Sequence, residues 1–249
     1  MKVSIITSVY NNKETIADAI DSVLSQDYND IEYIVIDGGS SDGTVEIVKS
    51  YGDKIARFSS QKDRGIYDGL NRGIEQAGGD IVGFLHSDDI YAKSSIISEV
   101  VEYFKNGCVG VYGDLVYTTK SDTDRIIRYW KSREFDISLL KKGWMPPHPT
   151  LFLKKEIYDR VGGFDLEFKI AADYDFMLRV LKENPNVCYM DKVLYKMRLG
   201  GESNKSLKNI INKSKEDYRA LKKNEIGGVC TLLSKNFSKL GQFIKKSVE

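Results

Sequence analysis

Two adjacent carboxylates, Asp88 and Asp89, follow the run Asp80-Ile81-Val82-Gly83-Phe84-Leu85-His86-Ser87, whose apolar part reads as a buried strand. Ligand sites of open α/β sheets lie at the carboxyl ends of strands. Like charges side by side repel unless something positive sits between them. A hard divalent cation, Mn2+ or Mg2+, suits the pair because it prefers carboxylate oxygens. The competing reading is a helix cap, with Asp88 or Asp89 opening a helix near Lys93. A third acid, Asp37, ends the strand-like run Glu32 to Ile36, and the glycine-rich loop Gly38 to Thr44 follows it. That loop opens a helix, capped by Asp42, and suits backbone contact with an anionic ligand. It lacks both the Walker spelling and G-x-G-x-x-G, which argues against a dinucleotide site. An acid at the strand end can accept hydrogen bonds from a nucleoside. A metal beside a nucleotide implies a diphosphate, whose leaving oxygen a cation stabilises as charge develops. Asp173 opens an amphipathic helix, where the dipole keeps it ionised. It reads as a base for an acceptor hydroxyl or as an N-cap.

The elements that carry these acids alternate. Val3 to Val9 is a strand, and Asn11-Asn12 ends it. Ile16, Ala19, Ile20, Val23 and Leu24 follow helical spacing. After the Asp37 strand come a helix through Tyr51, a strand over 55–59 and a helix over 64–77 with Ile66, Leu70 and Ile74 inward. Gly78-Gly79 stops that helix before the Asp88 strand. This is the pattern of a parallel sheet covered on both faces. Beyond Asp89 the spacing predicts a helix over 94–104, a strand over 109–118 and a pairing run over 125–130. Trp144-Met145-Pro146-Pro147-His148-Pro149-Thr150 is a loop, because proline removes donors. A strand over 150–153, a helix over 154–161, the helix from Asp173 to Leu181 and two short strands, 187–190 and 193–198, follow. Gly200-Gly201-Glu202-Ser203-Asn204 is a loop, and a lysine-rich helical region runs to the end.

Composition narrows the function classes. The 249 residues have a formal net charge of +1, so no strong field points to nucleic acid. The apolar N-terminus reads as a strand rather than a signal peptide, and no apolar run is long enough to span a bilayer. Cys108, Cys188 and Cys230 are few, odd in number and far apart. They suggest neither a disulfide framework nor a zinc site and fit a reducing compartment, so a cytoplasmic location is expected.

Taken together these residues resemble a family 2 inverting glycosyltransferase of the GT-A fold. Ser4-Ile5-Ile6-Thr7-Ser8-Val9-Tyr10-Asn11 resembles the family's first strand, and Asp37-Gly38-Gly39-Ser40-Ser41-Asp42-Gly43-Thr44 its nucleotide loop. Asp63-Arg64-Gly65-Ile66-Tyr67-Asp68-Gly69-Leu70-Asn71-Arg72-Gly73 is similar to its third segment. Ser87-Asp88-Asp89 stands at its metal motif, without the strict D-x-D spelling, since His86 precedes. Ala171-Ala172-Asp173-Tyr174-Asp175-Phe176 resembles the segment that supplies the base. The resemblance implies a Rossmann-like, mostly parallel sheet flanked by helices over 1–205, with a C-terminal helical appendage over 206–249. It implies that Tyr10 and Asp37 hold a nucleoside, most often uridine, that Asp63 contacts the base and that Arg64 lies on the phosphate side. It further implies that Asp88 faces the sugar or ribose, that Asp89 holds Mn2+ or Mg2+ and that Asp173 is the catalytic base.

His148, in its proline-rich loop, reads as a contact to diphosphate, metal or acceptor, or as a satisfied loop histidine; His86 reads as a packed strand-end residue. Trp144 can stack on a sugar or anchor its loop. Arg198, ahead of Gly200-Gly201-Glu202-Ser203, resembles a late motif that closes over a diphosphate, or forms a surface salt bridge. Val229, Leu232, Leu233, Phe237, Leu240, Phe243 and Ile244 make one helical stripe, with Lys235, Lys239 and Lys246 on other faces. That stripe, within 229–246, suits the inner face of a membrane near a lipid-linked acceptor; otherwise it packs on the catalytic domain or on a second copy in a homodimer. The expected activity is transfer of a hexose or N-acetylhexosamine from a nucleotide sugar to a glycan or lipid-linked acceptor, in bacterial surface polysaccharide. The rivals are a nucleotidyltransferase, which would carry Arg and Lys in a glycine-rich loop where Tyr10-Asn11-Asn12-Lys13 stands, and a non-catalytic sugar-nucleotide-binding protein.

Overall fold

The computed structural model describes residues 1–183, 186–200 and 207–238. In chain order the elements are β1 (Val3–Val9), α1 (Ile16–Leu24), β2 (Ile31–Asp37), α2 (Thr44–Ser50), β3 (Arg57–Ser60), α3 (Ile66–Gln76), β4 (Ile81–Phe84), β5 (Ile90–Tyr91) and α4 (Ile96–Lys105). There follow β6 (Gly110–Thr118), β7 (Ile126–Trp130), α5 (Ser138–Lys141), β8 (Phe152–Lys154), α6 (Lys155–Val161), α7 (Ala172–Glu183), β9 (Val187–Arg198), α8 (Leu207–Lys223) and α9 (Val229–Ser238).

The sheet runs in the order β3-β2-β1-β4-β8-β6-β9-β5, and β7 pairs with the far end of β6. Its first four strands are parallel, with Val9 opposite Asp37 and Ile6 opposite Phe84. The carboxyl ends of β2 and β4 therefore flank that of β1. The second half is mixed: β8 is antiparallel to both β4 and β6, while β9 is parallel to β6. All seven residues of β1 are buried, as a strand covered on both faces requires. Alternate residues serve two cores. Ile6, Ile34, Ile36 and Phe84 pack with Leu70 of α3 and Phe176 of α7. Ile5, Tyr33 and Val35 pack with Ile16 and Ile20 of α1 and Val100 of α4.

Several elements depart from the sequence reading. Ile66 is exposed, because the inner face of α3 is Gly69, Leu70, Gly73 and Ile74. The expected break near Asp191 is a bulge in one strand: Tyr189 pairs with Tyr112 and Val193 with Asp114, so intervening residues bow out and the strand continues. Neither Asp88 nor Asp89 caps a helix, since α4 starts at Ile96 with Ser95 at its N-cap. Cys108 and Cys188 form a disulfide across the β6–β9 pairing, while Cys230 is free and exposed. This bridge overturns the expectation of unpaired cysteines and with it the cysteine argument for a reducing compartment; a separation of 80 positions hid the pair in sequence, and parallel pairing of β6 with β9 brings them together. Leu240, Phe243, Ile244, Lys239, Lys246 and the Gly201-Glu202-Ser203-Asn204 segment lie outside the described residues. Among the described residues no helix is long and apolar enough to cross a membrane.

At the opposite edge from the acids, Glu32 ties β2 to its neighbours. It accepts from Ser4 Oγ at 2.6 Å, Gly78 N–H at 2.7 Å and Lys2 Nζ at 3.0 Å. Burial raises its pKa, but these partners outweigh burial and lower it from 4.5 to about 2. A depressed carboxylate stabilises the fold above its unfolded pKa, and that contribution vanishes as pH falls through the folded value. Acid unfolding should therefore show a loss of about 2–3 kcal/mol below pH 4.5 that Glu32→Gln removes, read from urea midpoints against pH.

Candidate active site

Three loops meet at the carboxyl edge of the parallel strands. Asp37 is fully buried. Its Oδ2 accepts from Gly39 N–H and Ser40 N–H, each at 2.9 Å, and from Ser60 Oγ at 2.6 Å. Its Oδ1 accepts from Ser40 Oγ at 2.5 Å. Three of these bonds fall on Oδ2 and one on Oδ1, so Asp37 fixes the 38–40 loop chiefly through Oδ2. Asn11, at φ 45°, joins this loop to the end of β1: its N–H donates to Ser40 Oγ and its Oδ1 accepts from Ser41 N–H. Gly43, not Asp42, is the N-cap of α2; Asp42, one residue ahead, accepts from Thr44 N–H at 3.0 Å and Thr44 Oγ1 at 2.6 Å in a local turn. Asp63 lies directly over Gly38, where a Cβ would stand 2.7 Å from its Oδ2, so only glycine admits that approach. Tyr10 is 64% exposed at the mouth of this cradle, a free aromatic face. Arg64 is also exposed and pairs with Asp68 at 3.0 Å.

Asp88 and Asp89 follow β4 on the same edge. Asp88 is partly exposed and Asp89 fully buried. Arg198, at the end of β9, holds both: its N–H donates to Asp89 Oδ1 at 3.0 Å and its Nη1 to the Asp88 carbonyl at 2.8 Å. Its Nη2 pairs with Asp18 at 2.5 Å. The guanidinium is thus held behind the acid pair, in an ion pair whose carboxylate, Asp18, is exposed while Arg198 itself is buried. Burial, reinforced by the Asp88 charge, holds the Asp89 carboxyl well above the usual carboxylate range against the opposing pull of Arg198. Its Oδ2 is buried without a partner. An orphaned carboxylate oxygen beside a second, accessible carboxylate fits a divalent cation held by one or two acids and completed by substrate phosphate and water. Among the described residues no three His, Cys, Asp or Glu side chains group as a complete metal site.

Asp173 lies in the first turn of α7 and is partly exposed. Tyr174 N–H donates to its Oδ1 at 2.8 Å, and Tyr67 Oη lies 3.3 Å away while donating to the Ile170 carbonyl at 2.9 Å. Burial raises the Asp173 pKa; the charges of Lys213, His148 and Lys235 outweigh it, and the carboxyl sits below its ordinary range. Asp175, two residues on, is wholly buried against Arg179, Lys223 and Asn224 and is structural. His148 is 6% exposed, with both ring nitrogens unpartnered, inside a box of Phe84, Phe164 and His86 rings. Burial pushes its pKa down to about 4, against the pull of Asp173, so the ring is neutral near pH 7. His86 is lowered by burial while Asp88 and Asp173 both pull it upward, which makes it the group between the acid pair and the base. Trp144 packs on Tyr112 and Phe135 at 6.0 and 6.2 Å, an anchor for the His148 loop.

The acids therefore open onto connected ground: the 38–40 loop touches Asp63, α3 carries Tyr67 to Asp173, and His148 and His86 join Asp173 to Asp88. The sequence model described as glycosyl transferase family 2 matches residues 4–169. The chain belongs to that family. This glycosyltransferase is 33% identical over 182 residues to an uncharacterised glycosyltransferase of Mycobacterium tuberculosis, covering 71% of this chain and 68% of that one. It is 27% identical over 209 residues to a PGL/p-HBAD biosynthesis glycosyltransferase of Mycobacterium bovis, covering 81% and 78%. Staphylococcus aureus TarS 1–349 in complex with UDP-GlcNAc superposes with a TM-score of 0.73 at 20% identity, over 90% of this chain and 65% of that one. Glucosyl-3-phosphoglycerate synthase of M. tuberculosis, in complex with Mn2+, UDP and glucosyl-3-phosphoglycerate, gives 0.63 at 19%, over 90% and 79%. The glycosyltransferase thus has the GT-A fold. It spans 46% of the longer TarS chain that it also resembles.

Tyr67 was within a quoted motif but carried no role in the sequence reading; its position three residues after Arg64 was the available signal. Lys213 and Lys235 gave no local signal, because they belong to a lysine-rich segment whose charges look solvated.

Proposed function

We propose that this glycosyltransferase is an inverting, metal-dependent enzyme that moves a hexose or N-acetylhexosamine from a UDP-linked donor to a hydroxyl of a glycan or lipid-linked acceptor. The observation that carries this reading is Asp173: a partly exposed carboxylate whose pKa is held below its ordinary range, linked towards Asp88 through His148 and His86. The nucleoside lies on the cradle of Tyr10, the 38–40 loop and Asp63, with Arg64 at the entrance to the phosphate side. Asp88 and Asp89 would hold Mn2+ or Mg2+, which, when bound, neutralises charge on the departing diphosphate. Asp173 takes the proton of the acceptor hydroxyl. That oxygen bonds to the anomeric carbon as the bond to the β-phosphate oxygen breaks on the opposite face, so configuration inverts. The transition state has oxocarbenium character. Neutral His148 and His86 exclude water around the base without competing for its proton.

The TarS complex with UDP-GlcNAc and the synthase complex with UDP and Mn2+ support a UDP donor and a divalent ion; one mycobacterial relative is named for PGL/p-HBAD biosynthesis, and a role in surface polysaccharide is part of the proposal. Val229, Leu233 and Phe237 form an exposed stripe on α9 that suits a membrane surface or a second copy, separable by vesicle binding and sedimentation. A cytoplasmic site of action follows from the nucleotide-sugar donor. The central experiment is a thermal-shift screen of nucleotide sugars with and without Mn2+. Ligands that bind only the folded state raise the melting temperature by mass action. UDP or a UDP-sugar with Mn2+ gives the largest shift; stabilisation by a nucleoside triphosphate alone would overturn the reading.

A further inference from the structure

We propose that Lys235 of α9 is a positioning residue for Asp173, so that the α8–α9 hairpin is a working part of the active site. The proposal rests on Asp173 being the base. It starts from an oddity of placement. Lys235 and Asp217 of α8 form an ion pair at 2.6 Å in which each side chain is only 2% exposed. Burying two charges costs solvation that their attraction only partly returns, and a packed apolar pair would hold two helices together as well. The location of this pair supplies a reason for it. Lys235 Nζ stands 3.2 Å from the centre of the Tyr174 ring, the neighbour of Asp173 whose N–H bonds the Asp173 carboxylate. One cation therefore fixes the residue that orients the base.

The rest of the hairpin converges on the same turn. Glu216 of α8 accepts from the N–H groups of Lys169, Ile170 and Ala171 at 3.1, 2.8 and 2.9 Å, closing the start of α7. α9 also lies flush on the loop that leads to Trp144 and His148: a Cβ on Gly143 would stand 2.6 Å from Lys235 Cβ and 2.7 Å from the Thr231 carbonyl. Lys235 thus spans the base helix and the His148 loop. The charged and titratable groups around Asp173 are Lys213 on α8, Lys235 on α9, His148 on its loop, Tyr67 on α3 and His86 after β4, with Asp217 and Glu216 as the acids behind them. Both lysines favour the ionised base. The family match ends at residue 169, so this support comes from the part of the chain beyond it.

The test uses the full chain and a transfer assay over a pH series. Lys235→Met alone strands a buried Asp217 charge, so it is paired with Asp217→Asn, and Lys235→Arg serves as the conservative variant. The expected result for the pair is a kcat lowered about ten-fold at mildly acidic pH, with the acid limb of the kcat profile moved to higher pH and the donor KM unchanged. Lys235→Arg retains most of the turnover. A paired variant with wild-type kcat and acid limb would overturn the proposal, as would an equal loss at every pH. If the pair does not fold, Lys235→Gln with Asp217→Asn, a neutral pair able to hydrogen-bond between the two helices, takes its place: the same shift of the acid limb is expected, and a wild-type profile or an equal loss at every pH overturns the proposal. Asp173→Asn is run beside them. Full turnover there overturns the base assignment itself, whereas an inactive Asp173→Asn with an unaffected pair removes only the role of Lys235.

Discussion

Replacing Asp173 by Asn is expected to lower kcat by about 10²- to 10⁴-fold, the range a lost general base costs, with little change in donor affinity. The amide keeps an oxygen in the place of Oδ1, so the contacts with Tyr174 N–H and Tyr67 Oη survive and α7 keeps its first turn. What disappears is the acceptor for the hydroxyl proton. Donor binding, on the far side of the cleft at Tyr10 and Asp63, is untouched. The pH dependence has a definite sign. Burial raises the Asp173 pKa, and Lys213, His148 and Lys235 bring it below the usual carboxylate value. The base stays ionised as the solution is acidified, and the acid limb of kcat lies below the range of an ordinary aspartate. Any stability that this depressed carboxylate contributes is present above its unfolded pKa and is lost only as pH falls through the folded one. Steady-state kinetics and donor titration on the purified variant check this. A variant that turns over normally would remove Asp173 as the base.

Asp88→Ala is expected to abolish the Mn2+-dependent part of UDP stabilisation and to cut kcat by at least about 10²-fold, since charge on the leaving diphosphate goes uncompensated. Asp88 is the more accessible of the two acids, and Arg198 fixes its carbonyl rather than its carboxylate. Its truncation therefore leaves the turn intact, and circular dichroism should match the parent. Asp89 is different. It is buried and tied through Oδ1 to the N–H of Arg198, so its replacement disturbs the loop as well as any ion at Oδ2. Melting temperatures of both variants with UDP, with and without Mn2+, separate the two roles. Equal Mn2+ effects in parent and Asp88→Ala would remove Asp88 from the metal site.

The placement of the Asp37 loop and Asp88 was legible because the pattern that sets it is local. A strand, an acid and a glycine-rich turn sit in one stretch from Glu32 to Thr44, and parallel pairing with β1 carries them to the same edge as Asp88. The purpose of Asp37 was not legible. Whether a carboxylate faces a ligand or its own loop depends on Ser60, 23 residues away, and on the path of the backbone at Gly39. The partners of Arg198 were hidden for the same reason, because Asp18 and Asp88 lie 180 and 110 residues away. The disulfide was hidden by an 80-residue separation, since register between parallel strands leaves no periodic mark. The surroundings of Asp173, built from α7, the His148 loop and the C-terminal helices, are assembled almost wholly from such distant pairs.

The two halves of the sheet are stitched by very little. Between the parallel quartet and the mixed second half, β4 and β8 share only Ile81 with Lys154 and Val82 with Leu153 in register. Evolution and engineering can exploit so short a seam. A chimera that keeps the first four parallel strands and imports everything after the acid pair from a relative would have to match few ladder bonds, together with the ties of Arg198 to Asp18 and Asp89, of Asn71 to Phe164, and the packing beneath them. Recognition of what is given and of what receives it could then diversify independently, one half conserving its currency while the other tries new customers.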